Sequence, residues 1–502
     1  MDWHTRRRVT PTNALVVDSE AHDIRNYLSK AEIDLKLLNE RITATRALLD
    51  ELLAQHSEVT AGIKEYRIAL APHKKLPREL LIKIFQYCVP DQISIPPKLY
   101  DAPLLLCQIF SYWRRVALGT PTLWNRIAVQ FQVNSLIDPV DLSVITKTWL
   151  DRSGVSTPLS ITLSVDRHCR WNPFQALVPH IPRCREIVLC VTASSLRQFL
   201  QSPGGCAGIL EVLKIKVDDN DDDEIDLGES WPDIATVFHS AHRLCRFTFT
   251  SNDGMFNGPQ LLQLPCSQLT DLHLVGTWVN PDTCHAILRR CTNLVSCTMF
   301  VEACGAFAQI LAYLSPTVVP NLRRLQLHPR PFKSYASFLR PLVLPALKDF
   351  ELASPSNWSS AAVKSLCSRS SFDLERFAIV GVHVDGPRLE SLLENMPSLI
   401  ELDIRSQRKL NESTLDLISK GDLIPKLEVI KFTSFPFIEA VDVIESRWRL
   451  DTNIMTKGNS WGSPVSRLRE VVVSRGDIRP VSKSALVRLR AFRREGLLVS
   501  YN

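Results

Sequence analysis

Apolar residues recur at alternating steps of four and three along the first part of the chain. The series runs from Ile24 to Tyr66, with Thr45 and His56 as polar interruptions. This spacing places one apolar seam along a helix and is typical of coiled coils. The pattern therefore predicts a coiled-coil-like helix over residues 23–71.

The seam implies that another surface covers it, but the pattern does not identify that surface. Self-association through residues 24–66 is one interpretation, and a single helix lying on the protein's own surface is the other. Both stay open, because the positions flanking the seam lack a clear alternation of opposite charges. Residues 1–22, which precede the seam, are predicted to be disordered.

A second apolar pattern follows in the stretch LPRELLIKIFQYC, residues 76–88. Pro72 ends the long helix, because a proline disfavours helix at the residue before it, and Pro77 suits the first position of a new helix. The stretches PLLLCQIFSYWRRVALGT and PTLWNRIAV come next. Such a small unit buries too little surface to be stable alone, so we expect another protein to cover part of its apolar face. That face comprises Leu76, Pro77, Leu80, Leu81, Ile84 and Phe85.

The pattern L-x-x-L-x-L recurs through the rest of the chain. It starts at positions 244, 269, 294, 322, 347, 374, 399 and 427, in steps of 25 to 28 residues, with further matches at 184, 210 and 468. Helical stretches such as PRLESLLEN lie between matches, so one unit is a strand and a helix. This period indicates a leucine-rich-repeat-like solenoid over residues 181–502, although the asparagine of the leucine-rich consensus is missing. Residues 131–180 form a connector, in which LSITLSV at 159 is predicted as the first strand.

Polar residues alternate with the leucines of each repeat. Because successive side chains of a strand point to opposite faces, these residues should line the face opposite the core, which is concave in a curved solenoid. Their mixed charge suits a protein target better than nucleic acid or lipid. We expect reversal of Arg324 and Arg376 to glutamate to weaken target capture at little cost in stability, as for exposed residues. The predicted target-binding residues are Asp271, His273, Arg324, Gln326, Asp349, Glu351, Arg376, Glu401, Asp403, Arg405 and Lys431.

Composition and charge are those of an ordinary folded protein. The 502 residues are 45% hydrophobic and 22% charged, and the formal net charge of +6 calls for neither nucleic acid nor an anionic membrane. The 13 cysteines include no C-x-x-C pair, which favours a reducing compartment. The N-terminus does not read as a signal peptide, and no run of about 18 apolar residues occurs. We therefore expect the cytoplasm or nucleus and no membrane association.

The sequence carries no motif of catalysis or cofactor binding. GxSxG, HExxH, the phosphate loop and GxGxxG are all missing. His239, His242 and Cys245 lack a fourth ligand, so a structural role is favoured over zinc. The acidic run VDDNDDDEID is interpreted as a solvated loop, and the arginine-rich stretch near the C-terminus as a solvated last helix. We predict no catalytic residue, no metal and no cofactor.

Two blocks of the sequence resemble the F-box. LPRELLIKIF is followed by LLLCQIFSYWRRVALGTPTLW, and the TPTLW close with the later WLDRSGVSTPLSITL resembles in particular the large F-box families of mushroom-type fungi. The resemblance implies a small all-α F-box over residues 72–130, whose apolar face binds the Skp-type adaptor of a cullin-RING ubiquitin ligase. The residues to which it assigns this contact are Leu76, Pro77, Leu80, Leu81, Ile84, Phe85, Trp113, Pro121 and Trp124.

The predicted fold class is therefore an α/β solenoid of leucine-rich-repeat-like strand–helix units, preceded by a small all-α F-box and a long N-terminal coiled-coil-like helix. This organisation is typical of a substrate-recognition adaptor, in which the F-box binds the ligase and the solenoid binds an unknown protein target. A structural or assembly protein outside any ligase, using the F-box and coiled coil for protein–protein interaction, is the alternative. An enzyme is disfavoured by the missing motifs.

Overall fold

The protein was analysed as a computed structural model, which separates into two compact units, Met1–Leu81 and Ile82–Asn502. Among the described residues, no helix combines the length and the apolar content needed to cross a bilayer. The described residues are 18–131, 139–166, 174, 177–201, 207–218, 238, 240–251, 264–302, 316–330, 335–353, 359–381, 386–405, 411–433, 437–449, 465–474 and 483–501.

The first unit consists mainly of one helix of 52 residues, α1 (Asp18–Ala69). An acidic first turn favours its start, and a 3-10 turn, Pro72–Lys75, follows its end. The long N-terminal helix predicted from the heptad pattern is confirmed. Its start differs, because residues 18–22, predicted to be disordered, are helical; the prediction for residues 1–17 lies outside the described part of the chain.

Strands enter the fold earlier than the sequence predicted. The all-α character predicted for residues 72–130 is wrong, because this region contains two short strands, one of which pairs in parallel with the strand predicted to be the first while the other pairs with its neighbour. Both alternate buried apolar and exposed side chains, as half-buried strands do. The elements of this region are α2 (Arg78–Cys88), β1 (Ile93–Ile95), α3 (Leu104–Ile109), α4 (Ser111–Leu118), β2 (Arg126–Phe131), α5 (Pro139–Arg152) and β3 (Leu159–Val165).

Each of the eleven L-x-x-L-x-L matches coincides with a strand, and three further short strands lie outside the matches. The strands are β4 (Cys184–Val191), β5 (Val212–Val217), β6 (Arg246–Ser251), β7 (Asp271–Val279), β8 (Ser296–Val301), β9 (Thr317–Val318), β10 (Arg324–Pro329), β11 (Leu342–Val343), β12 (Asp349–Ala353), β13 (Arg376–Val380), β14 (Glu401–Arg405), β15 (Val429–Thr433), β16 (Glu470–Ser474) and β17 (Leu498–Tyr501). The three outside the matches are β9, β11 and β17. The helices between them are α6 (Ala193–Gln201), α7 (Pro281–Arg290), α8 (Ala336–Leu339), α9 (Ser360–Ser370), α10 (Gly386–Leu393), α11 (Glu412–Lys420), α12 (Phe437–Trp448) and α13 (Lys483–Arg494).

Fifteen of these strands form one parallel sheet in the order of the chain, and β9 pairs with β11 in a separate small sheet. Parallel neighbours in chain order need a crossover between each pair, and crossovers of this kind are right-handed in nearly all proteins. The intervening helices supply the crossovers wherever the structure describes them. The second unit is thus an α/β structure in which strands of a large parallel sheet alternate with helices.

The sheet separates apolar from polar side chains. In the register of β6 to β16, one buried apolar residue from each strand forms a continuous row across one face. Burying a side chain of this size stabilises the fold by about 1.5–3 kcal/mol, so the row is a large part of the core. The opposite face, which we call the polar face, carries the intervening side chains. The buried row is Phe247, Leu272, Cys297, Leu325, Phe350, Phe377, Leu402, Ile430 and Val471.

Candidate protein-interaction surfaces

Helix α2 exposes one part of its apolar side chains and buries the other part. Leu80 and Ile84 lie one turn apart and are 48% and 40% exposed, and Pro77 is exposed as well. Leu81 and Phe85 are fully buried. These five residues were all predicted to touch an adaptor, but two of them belong to the interior.

The remaining predicted adaptor contacts also divide by burial. Leu76, Trp113 and Pro121 are half-buried. The ring of Trp113 packs edge-on against Phe85, with the ring centroids 5.0 Å apart. Because Phe85 is buried, Trp113 packs against the buried side of α2. Trp113 itself stays partly exposed to solvent.

Trp124 lies in the core, so the prediction that it contacts the adaptor directly is wrong. Its side chain is fully buried, and its indole nitrogen donates a hydrogen bond of 2.9 Å to the carbonyl oxygen of Ala117. Its ring packs on Trp149 at 4.7 Å, and the Arg152 guanidinium lies 5.0 Å from the ring. Sequence could not reveal this, since a tryptophan serves a core and an interface equally well.

Exposed apolar residues concentrate in residues 82–118, beyond those that the sequence singled out. Fourteen large apolar residues are exposed among the described residues of the second unit, and seven lie in this short stretch. Scattered single exposures are ordinary, whereas a concentration of them marks an interaction site. Helical spacing alone could have identified Leu105 and Ile109, which are four residues apart. The seven are Ile84, Tyr87, Leu99, Tyr100, Leu105, Ile109 and Leu118.

The polar face of the sheet brings together the residues predicted to bind a target. Strand register aligns Asp271, Arg324, Asp349, Arg376 and Glu401 in one row. A second row, one pleat further along the strands, carries the others in the same register. The second row includes His273, Gln326, Glu351, Asp403 and Lys431, and Arg405 follows at the end of β14.

Arg376 is the centre of this arrangement. Its guanidinium lies 2.7 Å from Asp349, 3.0 Å from Glu401, 3.4 Å from Glu351 and 3.7 Å from Asp403. Four carboxylates from the two strands that flank β13 therefore converge on one cation. Charge-assisted bonds of this kind are stronger than neutral ones, and their geometry fixes the side chains.

Three further cations balance the four carboxylates. Together these eight residues form what we call the ionic cluster, with four charges of each sign. Asp403, which is 1% exposed, lies deepest. The outer pairs are Lys431 on Glu401 at 2.6 Å, Arg405 on Asp403 at 2.7 Å, and Arg324 on Asp349 at 3.0 Å.

A chain of uncharged groups continues the network towards β7. Gln326 donates to Glu351 at 3.4 Å, and Thr298 donates its hydroxyl proton to the Gln326 oxygen at 2.8 Å. Because a hydroxyl has a single proton, the Nδ1 atom of His273, 2.8 Å from the same hydroxyl, must be the donor there. Asp271 accepts from Thr270 at 2.7 Å. All eleven predicted polar residues thus face one side, and most bond to one another.

The cluster shifts the proton affinities of its members. Burial alone lowers the pKa of Arg376, but hydrogen bonds and charges from Asp349 and Glu401 outweigh it and raise that pKa. Burial alone raises the pKa of Glu401, but Lys431 and Arg376 outweigh it and hold that pKa below its usual value of 4.5. The hydrogen bond that Arg405 donates to Asp403 raises the pKa of Arg405. The shifts keep Arg376, Glu401 and Arg405 charged at neutral pH.

This geometry corrects one expectation about Arg376. Its side chain is 22% exposed and bonded on every side, so it is not the exposed residue that the repeat pattern predicted. Arg324 does match that description, with a side chain that is 59% exposed. Reversal of the two charges will therefore have very different costs, and reversal of Arg376 will disturb the fold.

Nothing in the described residues resembles a metal centre, since no group of three or more His, Cys, Asp or Glu side chains lies close enough to hold an ion. His239, one of the cluster considered above, lies outside that part of the chain. A comparison with models of known protein families finds none that matches, and a search of curated proteins finds no significant match. The site must be interpreted from its own geometry.

Proposed function

We propose that the protein is the substrate-recognition adaptor of a Skp–cullin–F-box ubiquitin ligase. Residues 72–130 act as an F-box-like unit that binds the Skp-type adaptor, and the strand–helix units act as a leucine-rich-repeat-like solenoid that binds a protein target. The observation that supports this most is the concentration of exposed apolar side chains from Ile84 to Leu118. The protein itself performs no chemistry and works in the cytoplasm or nucleus.

The physical gain in such a role is proximity. Holding the ligase on one surface and the target on another makes ubiquitin transfer effectively intramolecular. The polar face supports the second half of this proposal, because its charges are mixed and ordered rather than of one sign.

The exposed part of α2 provides the test. Replacing Leu80 and Ile84 together with aspartate should abolish capture of a purified Skp-type adaptor, because two charges would have to be desolvated in an apolar contact. Capture on immobilised full-length protein, followed by immunoblotting for adaptor and cullin, measures this.

A matched control exists on another helix. Val140 and Val144 of α5 are also exposed and one turn apart, so their double replacement with aspartate introduces the same charges elsewhere. That variant should capture the adaptor normally. If the α2 variant captures as much adaptor as the α5 variant, the proposed interface is wrong.

Helix α1 supports a second candidate, a structural or assembly protein outside any ligase. Its seam residues Leu28, Leu35, Leu38, Ile42 and Leu49 all remain exposed. A long helix with this much apolar surface is stabilised when a second helix covers it. In this candidate the seam drives oligomer formation, and the adaptor-binding surface serves assembly alone.

Single substitutions on α1 test the seam. Leu38 lies on the seam and Leu37 lies off it, and the two are 51% and 52% exposed in the same helix. Replacing either leucine with aspartate therefore lowers the helix propensity by the same amount. We expect Leu38→Asp to lower the mass measured by light scattering to that of one chain, and Leu37→Asp to leave it unchanged. Equal masses for both variants and the parent protein would remove the seam as an oligomerisation element.

A further inference from the structure

Strand β7 carries an irregularity in the middle of its pairing with β8, whereas the other register shift described in this sheet lies at the start of the β3–β4 pairing. Leu274 pairs with Met299 of β8, but the next pair is Trp278 with Phe300. Residues 275–277 therefore have no counterpart on β8. Bulges of this kind re-aim the side chains that follow them and are often found beside functional sites.

The bulge moves Trp278 from one face of the sheet to the other. Leu272 and Leu274 are buried, so strict alternation would bury Trp278 in the same row; instead Thr277 and Val279 are buried and Trp278 is half-exposed. The re-aimed ring lies on the polar face.

A glycine fixes this conformation. Gly276 has a φ of +71°, which disfavours any residue with a side chain. A Cβ atom at this position would lie 1.8 Å from the carbonyl oxygen of Ser251 on the neighbouring strand. The two backbones therefore approach so closely at the bulge that only glycine fits at this position.

The re-aimed tryptophan completes an aromatic patch on the polar face. Its ring contacts Phe300 edge-on at 5.3 Å, and Phe300 stacks on His328 at 4.2 Å with the planes 5° apart. The Arg330 guanidinium lies 5.9 Å from the Trp278 ring and pairs with Glu302. We call Trp278, Phe300 and His328 the aromatic patch. It adjoins the ionic cluster, because His328 lies on the same face of β10 as Gln326, which donates a hydrogen bond to Glu351 of that cluster.

The charges around the patch present their cations outward. In the pair Arg324–Asp349 the side chains are 59% and 17% exposed, and in Arg405–Asp403 they are 42% and 1% exposed. The cation is also at least as exposed as its carboxylate in the pairs Lys214–Glu186, Lys216–Asp218, Arg330–Glu302, Arg376–Glu401 and Lys431–Glu401. On β6, Arg246 is exposed as well. An approaching partner therefore meets cations before it meets carboxylates.

We infer that the aromatic patch and the outward cations beside it dock an acidic protein segment. A large apolar or aromatic side chain of that segment packs on Trp278 and Phe300, and its carboxylates lie beside Arg324, Arg330 and Arg246. Tryptophan and arginine are the residues that dominate protein interfaces. This inference rests on the proposed function and names the chemistry of the target.

The mixed charge of the surface favours a protein segment over single-stranded nucleic acid. Bases also stack on aromatic rings, but a nucleic acid needs a groove of one sign along its backbone. Here Glu302, Asp349 and Glu351 keep carboxylates within the same surface. A segment with one or two carboxylates fits between them, whereas a continuous phosphate backbone does not.

A library of short random peptides, displayed on phage and selected on the full-length protein, tests the inference. Enriched peptides should combine an aromatic or large aliphatic residue with neighbouring Asp or Glu. For a synthetic peptide of the enriched sequence, Trp278→Ala should weaken binding about tenfold or more, as loss of an interface anchor does, and Trp278→Phe should retain most of it. Ser164→Ala on β3, on the same face and four strands away, should bind as the parent does.

Several results would overturn the inference. They are failure to enrich any peptide, enrichment of basic or uncharged peptides, equal binding by Trp278→Ala, and tighter binding of an oligouridylate than of any peptide. Thermal unfolding checks that each variant folds, and Arg330→Glu gives a second route should Trp278→Ala not fold. Adaptor capture by the same variants should be normal, so failure here is distinguishable from failure of the proposed function.

Discussion

Replacing Arg376 with glutamate is expected to lower the free energy of unfolding by about 3 kcal/mol, towards the lower end of the cost of breaking a buried ion pair. The substitution removes the cation shared by Asp349, Glu351, Glu401 and Asp403 and places a fifth carboxylate among them. Asp403 is the most affected, because its fully buried carboxylate keeps only Arg405. Urea denaturation of the two proteins measures the difference.

Arg324→Glu is the matched control for this prediction. The same charge reversal occurs one strand from Asp349, but at a side chain that is mostly exposed. Its cost should be within about 1 kcal/mol, as for surface ion pairs. Similar costs for the two variants would contradict the central role of Arg376.

Lowering the pH should reduce the difference in free energy of unfolding between the parent protein and the Arg376→Glu variant. In the parent, Glu401 has a folded-state pKa below 4.5, so its contribution is present above that pH and is lost as the pH falls through the lowered pKa. Without Arg376 part of this contribution is already missing. Stability measured from neutral pH to below pH 4.5 should therefore converge for the two proteins.

Gly276→Ala is expected to destabilise the protein by on the order of 4 kcal/mol, which is exceptional for one methyl group. The new Cβ would overlap the Ser251 carbonyl oxygen, and a backbone atom within a sheet has little room to move. The bulge should then flatten or the β6–β7 pairing should open. In either case Trp278 leaves the polar face, so peptide binding at the aromatic patch should also be lost.

Gly154→Ala separates the two causes of this destabilisation, the left-handed backbone conformation and the overlap with the Ser251 oxygen. Gly154 has a φ of +69°, nearly that of Gly276, but a Cβ there would have its nearest neighbour at 3.6 Å, an ordinary contact. Gly154→Ala should lower the free energy of unfolding by about 1–2 kcal/mol, which is the effect of the left-handed conformation alone. Thermal unfolding of both variants gives the comparison, and equal shifts would mean that the Ser251 backbone yields easily.

The repeating strands and the polar face could be predicted because both depend on local alternation. Each L-x-x-L-x-L match places its leucines on one side, and a side-chain period of two leaves no choice for residues such as Arg376 and Glu401. The length of α1 followed similarly from its heptads. These features need no knowledge of distant contacts.

What the sequence missed depends on contacts between distant segments. Strand β1 has only three residues, too few for a pattern, and exists because β2 pairs with it. Trp124 packs in the core against Trp149, which lies on α5 and is 25 residues away in sequence. The bulge left one readable signal, a glycine within the strand LHLVGTWV, since glycine inside a strand often marks a bulge.

Because its strands follow the order of the chain, the large sheet has two open edges, and these edges affect how readily the protein aggregates. Within the described residues, the outermost strands are the short β1 and β17, which pair with their neighbours over three and four residues. A short edge offers few unpaired amides and carbonyls to another sheet. A chain ending after Ser474 would instead expose β16, whose sequence EVVVS is strongly β-forming. The last helix and strand thus protect the sheet from pairing edge to edge with other molecules.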